Sequence, residues 1–444
     1  MKIAIISLGC DKNRVDSEKM LGLLQSSGFS FTNDESEADI IIVNTCCFID
    51  EAKSESIDTI LEMAEYKEVG QCQYLFVAGC LSERYKDEIL IQFPEVDGII
   101  GTGDLSDIVH VIRQKLEEKE ESDTDDIYLS SLSASDLSGH RIITTPGHYE
   151  FLKIAEGCNK RCTYCIIPYV RGSYRSFPME NLLEEARDLI SRGVTELIIV
   201  AQETSIYGRD LYGKDMLPTL LKELCAIEGL RWIRLLYCYP EDITDELLDV
   251  MATEPKICRY LDMPVQHASD PILKRMGRRT NREELLRIIS GIRKKVPGIV
   301  LRTSLISGFP GETSADHAAL LEFVRMVRFD RLGVFTYSQE EGTPAAEFPD
   351  QIDEDVRESR RNDIMTIQNL ISYENLTSHI GEIFDVVVDG YLPEENVYVG
   401  RTYMDAPDVD GAFFFQSERS LLSGDHISCI ATNASDYDLY GEPV

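Results

Sequence analysis

The sequence predicts an α/β protein in three parts: a parallel α/β domain, a central partial (β/α) barrel of TIM-like form, and a small all-β barrel at the C-terminus. Three observations carry that prediction. Short Ile/Val-rich runs alternate with helical patterns through the first third, as strands buried on both faces require. The alternation resumes after an acidic, Ser-rich break and supplies six further strand–helix units. The stretch from Gly381 to Val444 then turns to strand-like runs separated by Gly and Pro turns. A chain of 444 residues has room for about two to four domains. The boundaries fall at 1–140, 141–376 and 377–444.

In the first part, strands are expected at Lys2–Ser7, Asp39–Asn44, Tyr74–Ala78 and Asp97–Ile100. Helices lie between them, near Asp16–Ser27 with Gly28 as a stop, near Glu51–Tyr66, and near Ser82–Phe93 before Pro94. From Leu116 to Gly139 the composition is that of a linker, with Glu117, Glu118, Glu120, Glu121, Asp123, Asp125 and Asp126 ahead of a Ser-rich stretch. Central strands are expected at Glu150–Ala155, Glu196–Ala201, Trp232–Tyr237, Tyr260–Pro264, Val300–Ser307 and Arg331–Tyr337. Their helices fall at Glu180–Arg192, Pro218–Ala226, Asp245–Met251, Arg282–Val296 and Ala315–Val327. In barrels of this kind chemistry collects where the strands end. A polar helix over Asp353–His379 leads to the last part, with strands at Ile383–Val388, Asn396–Tyr403, Ala412–Phe415 and His426–Thr432.

The formal charge is −34. Such a surface repels a phosphate backbone and argues against nucleic acid as the substrate. It attracts a basic partner and speeds the encounter. Solubility or a saline habitat produces the same composition, so charge alone leaves both readings open. No apolar run reaches the roughly 18 residues of a membrane span, so no membrane role is expected. Met1–Ile6 enters a strand directly, without a secretory cleavage pattern. Twelve cysteines in such a chain point to reduced thiols and metal ligation in a cytoplasm.

Cys158-Asn159-Lys160-Arg161-Cys162-Thr163-Tyr164-Cys165 offers three thiolates from one short loop. A 4Fe-4S cluster has four irons, each usually held by one thiolate, so three local ligands leave one iron open. A zinc knuckle or a redox dithiol is the plainer alternative. Zinc usually takes four protein ligands in paired spacings, and no fourth Cys or His lies close by. The motif resembles that of radical S-adenosylmethionine enzymes. The resemblance implies that the open iron binds the amino and carboxylate groups of S-adenosylmethionine, whose sulfonium is then cleaved to a carbon radical.

Cys10, Cys46 and Cys80 share a context, because each closely follows a predicted parallel strand. The ends of such strands form the ligand crevice of an open sheet. The three either converge on one site or are unrelated buried thiols. With the radical motif downstream, a second cluster is the stronger reading.

Taken together, the motifs resemble the methylthiotransferase family of radical S-adenosylmethionine enzymes over nearly the whole chain. They are Leu8-Gly9-Cys10-Asp11-Lys12-Asn13-Arg14-Val15-Asp16-Ser17-Glu18, Asn44-Thr45-Cys46, Ala78-Gly79-Cys80, the Cys158 triad, Pro264-Val265-Gln266-His267, Gly308-Phe309-Pro310-Gly311-Glu312 and Tyr337-Ser338-Gln339-Glu340-Glu341-Gly342-Thr343. The family implies a central radical SAM barrel, a C-terminal TRAM barrel, two 4Fe-4S clusters and S-adenosylmethionine as cofactor. Cys158, Cys162 and Cys165 would bind the radical cluster, and Cys10, Cys46 and Cys80 a second one tied to sulfur delivery. A reductase or flavodoxin-like electron donor and a sulfur donor are further expected partners. One branch, the MiaB type, modifies a tRNA adenosine. The other, the RimO type, adds a methylthio group to the β-carbon of an aspartate in small-subunit ribosomal protein twelve. Lys12-Asn13-Arg14-Val15-Asp16 and Arg171-Gly172-Ser173-Tyr174-Arg175-Ser176 resemble the RimO type.

Charge votes the same way. The segment from Gly381 carries thirteen acidic residues against Arg401 and Arg419. That is a poor RNA clamp and a plausible dock for a basic ribosomal protein of the small subunit.

Supporting roles follow from position. Gln202 and Glu203 end the second barrel strand, where a carboxylate suits the cofactor's ammonium group. Tyr164 is placed to hold the adenine. Gly308 permits close backbone approach or makes a simple turn. Gln266 and His267 end the fourth strand and contact cofactor or substrate, or else His267 is structural. Two positions depart from the family pattern: Cys47 follows Cys46 where Gly is common, so a swap of ligand stays open, and Phe177 replaces a frequent Arg. Cys72, Cys225, Cys238, Cys258 and Cys429 match no motif and read as ordinary thiols. Gly101-Thr102-Gly103 lacks a dinucleotide fingerprint and reads as a turn.

Overall fold

The first Ile/Val-rich runs pair side by side into one parallel sheet. Its strands are β1 (Lys2–Ser7), β2 (Ser30–Phe31), β3 (Ile40–Thr45), β4 (Tyr74–Gly79), β5 (Gly98–Ile100) and β6 (Ile127–Tyr128), in the order β2-β1-β3-β4-β5-β6. These are features of a computed structural model that describes residues 1–103, 105–117, 127–128 and 141–444. Two compact units make up the chain, and this sheet lies in the first, formed by Met1–Thr144, Lys153–Asp188 and Ser338–Ala346.

Alternation along β3 explains why every one of its residues is buried. Ile41 and Val43 face one core with Leu75, Val77, Ile99 and, from the helix Asp50–Val69, Ile60 and Met63. Ile40 and Ile42 face the other with Phe76, Ile100, Met20 and Leu24 of the helix Asp11–Ser26, and Val111 and Ile112 of the helix Ile108–Glu117. The first of these cores also takes in Ile166, which precedes the short helix Ile167–Val170 just after the Cys158 loop, and Val170, which ends it.

The expected helix over Ser82–Phe93 is two helices, Cys80–Arg84 and Lys86–Gln92, because Tyr85 between them leaves the helical region. The amphipathic helix Ile108–Glu117 was not anticipated. The expected acidic linker lies outside the described residues, apart from Leu116 and Glu117, which close that helix, and Ile127–Tyr128, which pair with β5.

The second unit comprises Thr145–Leu152, Leu189–Tyr337 and Glu347–Val444. The chain enters it along β7 (Tyr149–Lys153), then returns to the first unit for a short antiparallel pair, β8 (Ala155–Glu156) and β9 (Arg175–Ser176). It continues through β10 (Glu196–Val200), β11 (Trp232–Leu235), β12 (Ile257–Asp262), β13 (Val300–Ser307) and β14 (Arg331–Thr336). With β7 these make a six-stranded sheet in sequence order, the open barrel expected. Strand β12 starts three residues before the predicted Tyr260.

The polar helix Glu354–Ser378 packs on β14 and on the helix Ser314–Val327, burying Ile364, Ile371 and Leu376. A closed barrel of β15 (Ile383–Leu392), β16 (Val397–Arg401), β17 (Phe413–Phe415), β18 (His426–Ala434) and β19 (Leu439–Pro443) ends the chain, in the order β15-β16-β17-β19-β18. Its last strand was not predicted.

The segment between β16 and β17 plugs the starting ends of β10 to β14. Glu196 accepts from Arg234 Nε at 2.8 Å and from Arg401 Nη1 at 2.9 Å, with all three buried. Arg234 also donates to the carbonyl of Tyr403 at 2.7 Å. Arg331 pairs with Asp405 at 2.5 Å, and Tyr260 donates to Asp410 at 2.6 Å. The finishing ends of the strands are therefore the ones this plug leaves alone.

Candidate functional site

Both cysteine triads lie in the first unit. Cys10 precedes the helix Asp11–Ser26, Cys46 follows β3, and Cys80 opens the helix after β4. Three strand ends are drawn together by side-chain amides. Asn13 donates to the carbonyls of Leu8 at 3.0 Å and Thr45 at 2.9 Å, tying the Cys10 loop to the end of β3. Asn44 donates to the carbonyl of Asn13 and to Ser17 Oγ, and Thr45 Oγ1 donates to the carbonyl of Ala78 at 2.6 Å. Ser56 brackets Cys46, accepting from its N–H at 3.0 Å and donating to its carbonyl at 2.9 Å.

Glycine is required at two of these turns. Gly9 has φ +83°, and a Cβ there would stand 2.6 Å from Cys46 Cβ and 2.8 Å from its sulfur. Gly79 has φ +96°, and its Cβ would meet Asn44 Oδ1 at 2.3 Å. A side chain at either position meets both the left-handed backbone penalty and a packed neighbour.

The thiols of Cys80 and Cys46 are shifted by burial and, in smaller part, by neighbouring cysteines. Burial pushes the Cys80 thiol well up; the guanidinium of Arg171 opposes this, while Cys47, Cys46 and Cys10 add to it. Burial also raises the Cys46 thiol, with Cys10 adding to the rise. Cys47 is pushed up to about 12, chiefly by burial, with Arg84 pulling the other way. It sits among the apolar side chains of the core, whereas Cys46 packs on Gly9.

The radical-type loop is shaped by its own backbone. Gly157 at φ +79° lets the chain pass the carbonyls of Gly172 and Ser173, and the N–H of Cys158 donates to Gly172 O at 3.1 Å. The N–H of Cys165 donates to Cys162 O, and that of Lys160 lies 3.5 Å from Cys158 Sγ. Thr163 O accepts the N–H of Ala345 at 2.9 Å. That contact belongs to the segment Ser338–Ala346, whose Glu340 pairs with Arg84 at 2.8 Å and Lys53 at 3.1 Å. Tyr164 is half-buried beside Cys165. Thr102, read as part of a plain turn, donates to Val170 O at 2.5 Å and so pins the helix after the loop.

The two triads meet through Arg171-Gly172. Gly172 holds the N–H of Cys158, while Arg171 Nε lies 3.2 Å from Cys80 Sγ. Arg171 is 2% exposed and donates to Asp16 at 2.7 Å, to Glu156 at 3.3 Å and to Asn13 Oδ1. Lys153 completes the cluster, on Asp16 and, at 2.7 Å, on Glu156. Sequence reading quoted Arg171, Asn13 and Asp16 inside motifs but gave them no role. The signal available was their place in those motifs.

Among the described residues no three His, Cys, Asp or Glu side chains are gathered as ligands of one metal ion. A four-iron cluster spreads its thiolates wider than a single ion does, and soft thiolates are the donors it takes.

The remaining candidates lie in the second unit, at finishing ends of strands. Glu203 is fully buried and Gln202 half-buried after β10, and Thr204 anchors their loop to Leu236 O at 2.6 Å. Gln266 has φ +69°, and its backbone extends the pairing with β13 through Ser304 O at 2.9 Å. Tyr237, in the loop just past β11, is also left-handed at φ +60°. Such residues cost about 1–3 kcal/mol each and cluster at working sites. Tyr237 escaped sequence reading because backbone strain leaves no compositional mark.

His267 is fully buried. Its Nδ1 accepts the N–H of Ser269 at 2.9 Å, and Nε2 lies 3.6 Å from Glu312 Oε2. The same carboxylate accepts the N–H groups of Gly308 and Phe309 at 2.7 and 3.2 Å. A Cβ on Gly308 would stand 2.1 Å from Arg357 Cγ, so the packing of the helix Glu354–Ser378 explains that glycine.

Comparison with known proteins adds to this geometry. Residues 2–101 match Uncharacterized protein family UPF0004, residues 152–324 the radical SAM superfamily, and residues 380–444 the TRAM domain. The chain is 58% identical over 442 residues to ribosomal protein uS12 methylthiotransferase RimO of Lachnoclostridium phytofermentans, with 99% of each chain covered. The protein of that name from Acetivibrio thermocellus is 50% identical over 446 residues, covering 100% of this chain and 98% of the other. Among solved structures, the radical S-adenosylmethionine methyltransferase TsrM of Kitasatospora setae, with cobalamin and a 4Fe-4S cluster bound, aligns with a TM-score of 0.55 at 13% identity. That alignment covers 88% of this chain and 81% of that one, and it is a likeness of fold.

Proposed function

The chain belongs to the RimO family of ribosomal protein uS12 methylthiotransferases, and from that premise we propose how its residues carry the reaction. It is a radical S-adenosylmethionine transferase of the protein-modifying branch, not the tRNA-modifying one. Cys158, Cys162 and Cys165 hold one 4Fe-4S cluster, and Cys10, Cys46 and Cys80 hold the other. When bound, the first cluster with S-adenosylmethionine supplies a carbon radical, and the second supplies the sulfur that a methyl group from another S-adenosylmethionine caps. The target is the β-carbon of an aspartate in uS12, a C–H bond too weakly acidic for ordinary base chemistry.

The protein's part is placement. Glu203 offers a carboxylate to the cofactor's ammonium group, and Gln202 and Gln266 add further cofactor contacts. His267 and Gly308 shape the loop that Glu312 ties together. Tyr164 holds the adenine. Cys46, packed on Gly9 next to Cys10, is the ligand in preference to Cys47. The functional division is 1–140 for sulfur delivery, 141–376 for radical formation and 377–444 for substrate docking. A reductase or flavodoxin-like protein supplies electrons, and a separate sulfur donor reloads the second cluster. The compartment is the cytoplasm; no helix among the described residues is long and apolar enough to cross a membrane.

The observation that carries the two-cluster reading is the Arg171-Gly172 link between Cys158 and Cys80. The test is anaerobic reconstitution followed by incubation with reductant, S-adenosylmethionine, uS12 and tRNA. Expected are about eight irons per chain, release of 5′-deoxyadenosine, and uS12 heavier by one methylthio group. Modified tRNA with unmodified uS12 would refute the assignment.

A further inference from the structure

Arg171 is a buried cation aimed at a sulfur. Its five N–H donors radiate in a fixed fork, and all three nitrogens are engaged: Nε to Cys80 Sγ, Nη1 to Asp16 and Glu156, Nη2 to Asn13. Two cations, Arg171 and Lys153, are balanced by two carboxylates, Asp16 and Glu156. Arg171 is therefore held firmly and without net charge to spare, and only Nε is turned to a cysteine. Asn13 reinforces the arrangement, because its Oδ1 takes Arg171 while lying 3.9 Å from the same sulfur.

A charged donor on a thiolate stabilises the more negative, reduced state of whatever iron that thiolate holds. Hydrogen bonds to sulfur are one of the levers that set cluster potentials. We propose that Arg171 is a positioning residue that sets the reduction potential of the second cluster through Cys80, holding it higher than three thiolates alone would. The proposal rests on the ligand assignment above. Lysine cannot replace it, since a single ammonium cannot serve Cys80, Asn13 and both carboxylates at once.

The experiment isolates the second cluster in the full-length Cys158→Ala/Cys162→Ala/Cys165→Ala variant, reconstituted anaerobically. Iron analysis should give about four atoms per chain. Redox titration followed by electron paramagnetic resonance then compares this parent with Arg171→Lys and with Arg171→Gln/Glu156→Gln, the latter keeping the buried charge balanced. Both should retain iron, and both midpoints should fall. The expected shift in the oxidised-to-reduced ratio at fixed poise is about tenfold, ~59 mV for one electron. In a Cys10→Ala/Cys46→Ala/Cys80→Ala background, the same substitutions should leave the radical cluster's midpoint unchanged.

Retained iron with an unmoved midpoint would overturn the role of Arg171. So would iron lost from both Arg171 variants but kept by their parent, which would make Arg171 a builder of the site. An equal shift in the radical cluster would overturn it as well. A parent that binds no iron would instead refute the assignment of Cys10, Cys46 and Cys80.

Discussion

Gly9 shows how little freedom the second triad has. Its backbone turns left-handed within contact distance of Cys46, so a methyl group there would drive into the sulfur. Gly9→Ala should therefore displace Cys46 while leaving the Cys158 loop intact. Iron should fall from about eight to about four per chain. Such a variant should still cleave S-adenosylmethionine to 5′-deoxyadenosine but leave uS12 unmodified. Iron at the wild-type level would show that the turn can relax. The cysteines were legible because their spacing and their places after strands are sequence properties. The role of Arg171 was not, because 91 residues separate it from Cys80 and only folding closes that distance. For His267 the motif leaves a ligand contact and a structural role open, and in the fold its two nitrogens face Ser269 and Glu312.

At the scale of elements, the plug between β16 and β17 makes the sharpest prediction. Burial alone would raise the Glu196 carboxyl, yet Arg401 and Arg234 hold it below the usual glutamate range. A depressed carboxylate stabilises the fold fully above its unfolded value and loses that contribution as pH falls through its folded value. Glu196→Gln leaves two buried guanidinium groups short of their counter-charge, which typically costs about 3–5 kcal/mol. Urea unfolding at neutral pH should show that loss. The gap between wild type and variant should narrow as the solution is acidified below about pH 4. A gap independent of pH would mean that the carboxylate charge is not what matters. Elements were readable in proportion to length and pattern: β13 was placed to the residue. Two-residue β2 has no periodicity to detect, and β19, Leu-Tyr-Gly-Glu-Pro, carries the strand breakers Gly and Pro although it pairs with both β17 and β18 in the closed barrel. Tyr85 splits a helix in mid-pattern, and nothing local in the sequence announces it.

For the whole molecule, the net charge makes a prediction about the encounter. A chain at −34 should draw basic uS12 from a distance, and salt should screen that attraction over about 8 Å at physiological strength. Raising salt from about 0.05 to about 0.5 M should slow association at least tenfold while changing dissociation little. Stopped-flow fluorescence with labelled uS12 reads both, and an association rate indifferent to salt would remove electrostatics from the account. The acidic C-terminal barrel sits against the starting ends of the strands, and Gln202, Glu203 and Gln266 stand at the finishing ends. A strand of eight residues is about 26 Å long. On the proposed reading a guest gripped by the tail would have to span that height to present its aspartate, and the enzyme would work as a two-point ruler. Intact uS12 should outcompete a short peptide bearing only the target aspartate by far more than the lost contacts around that residue explain.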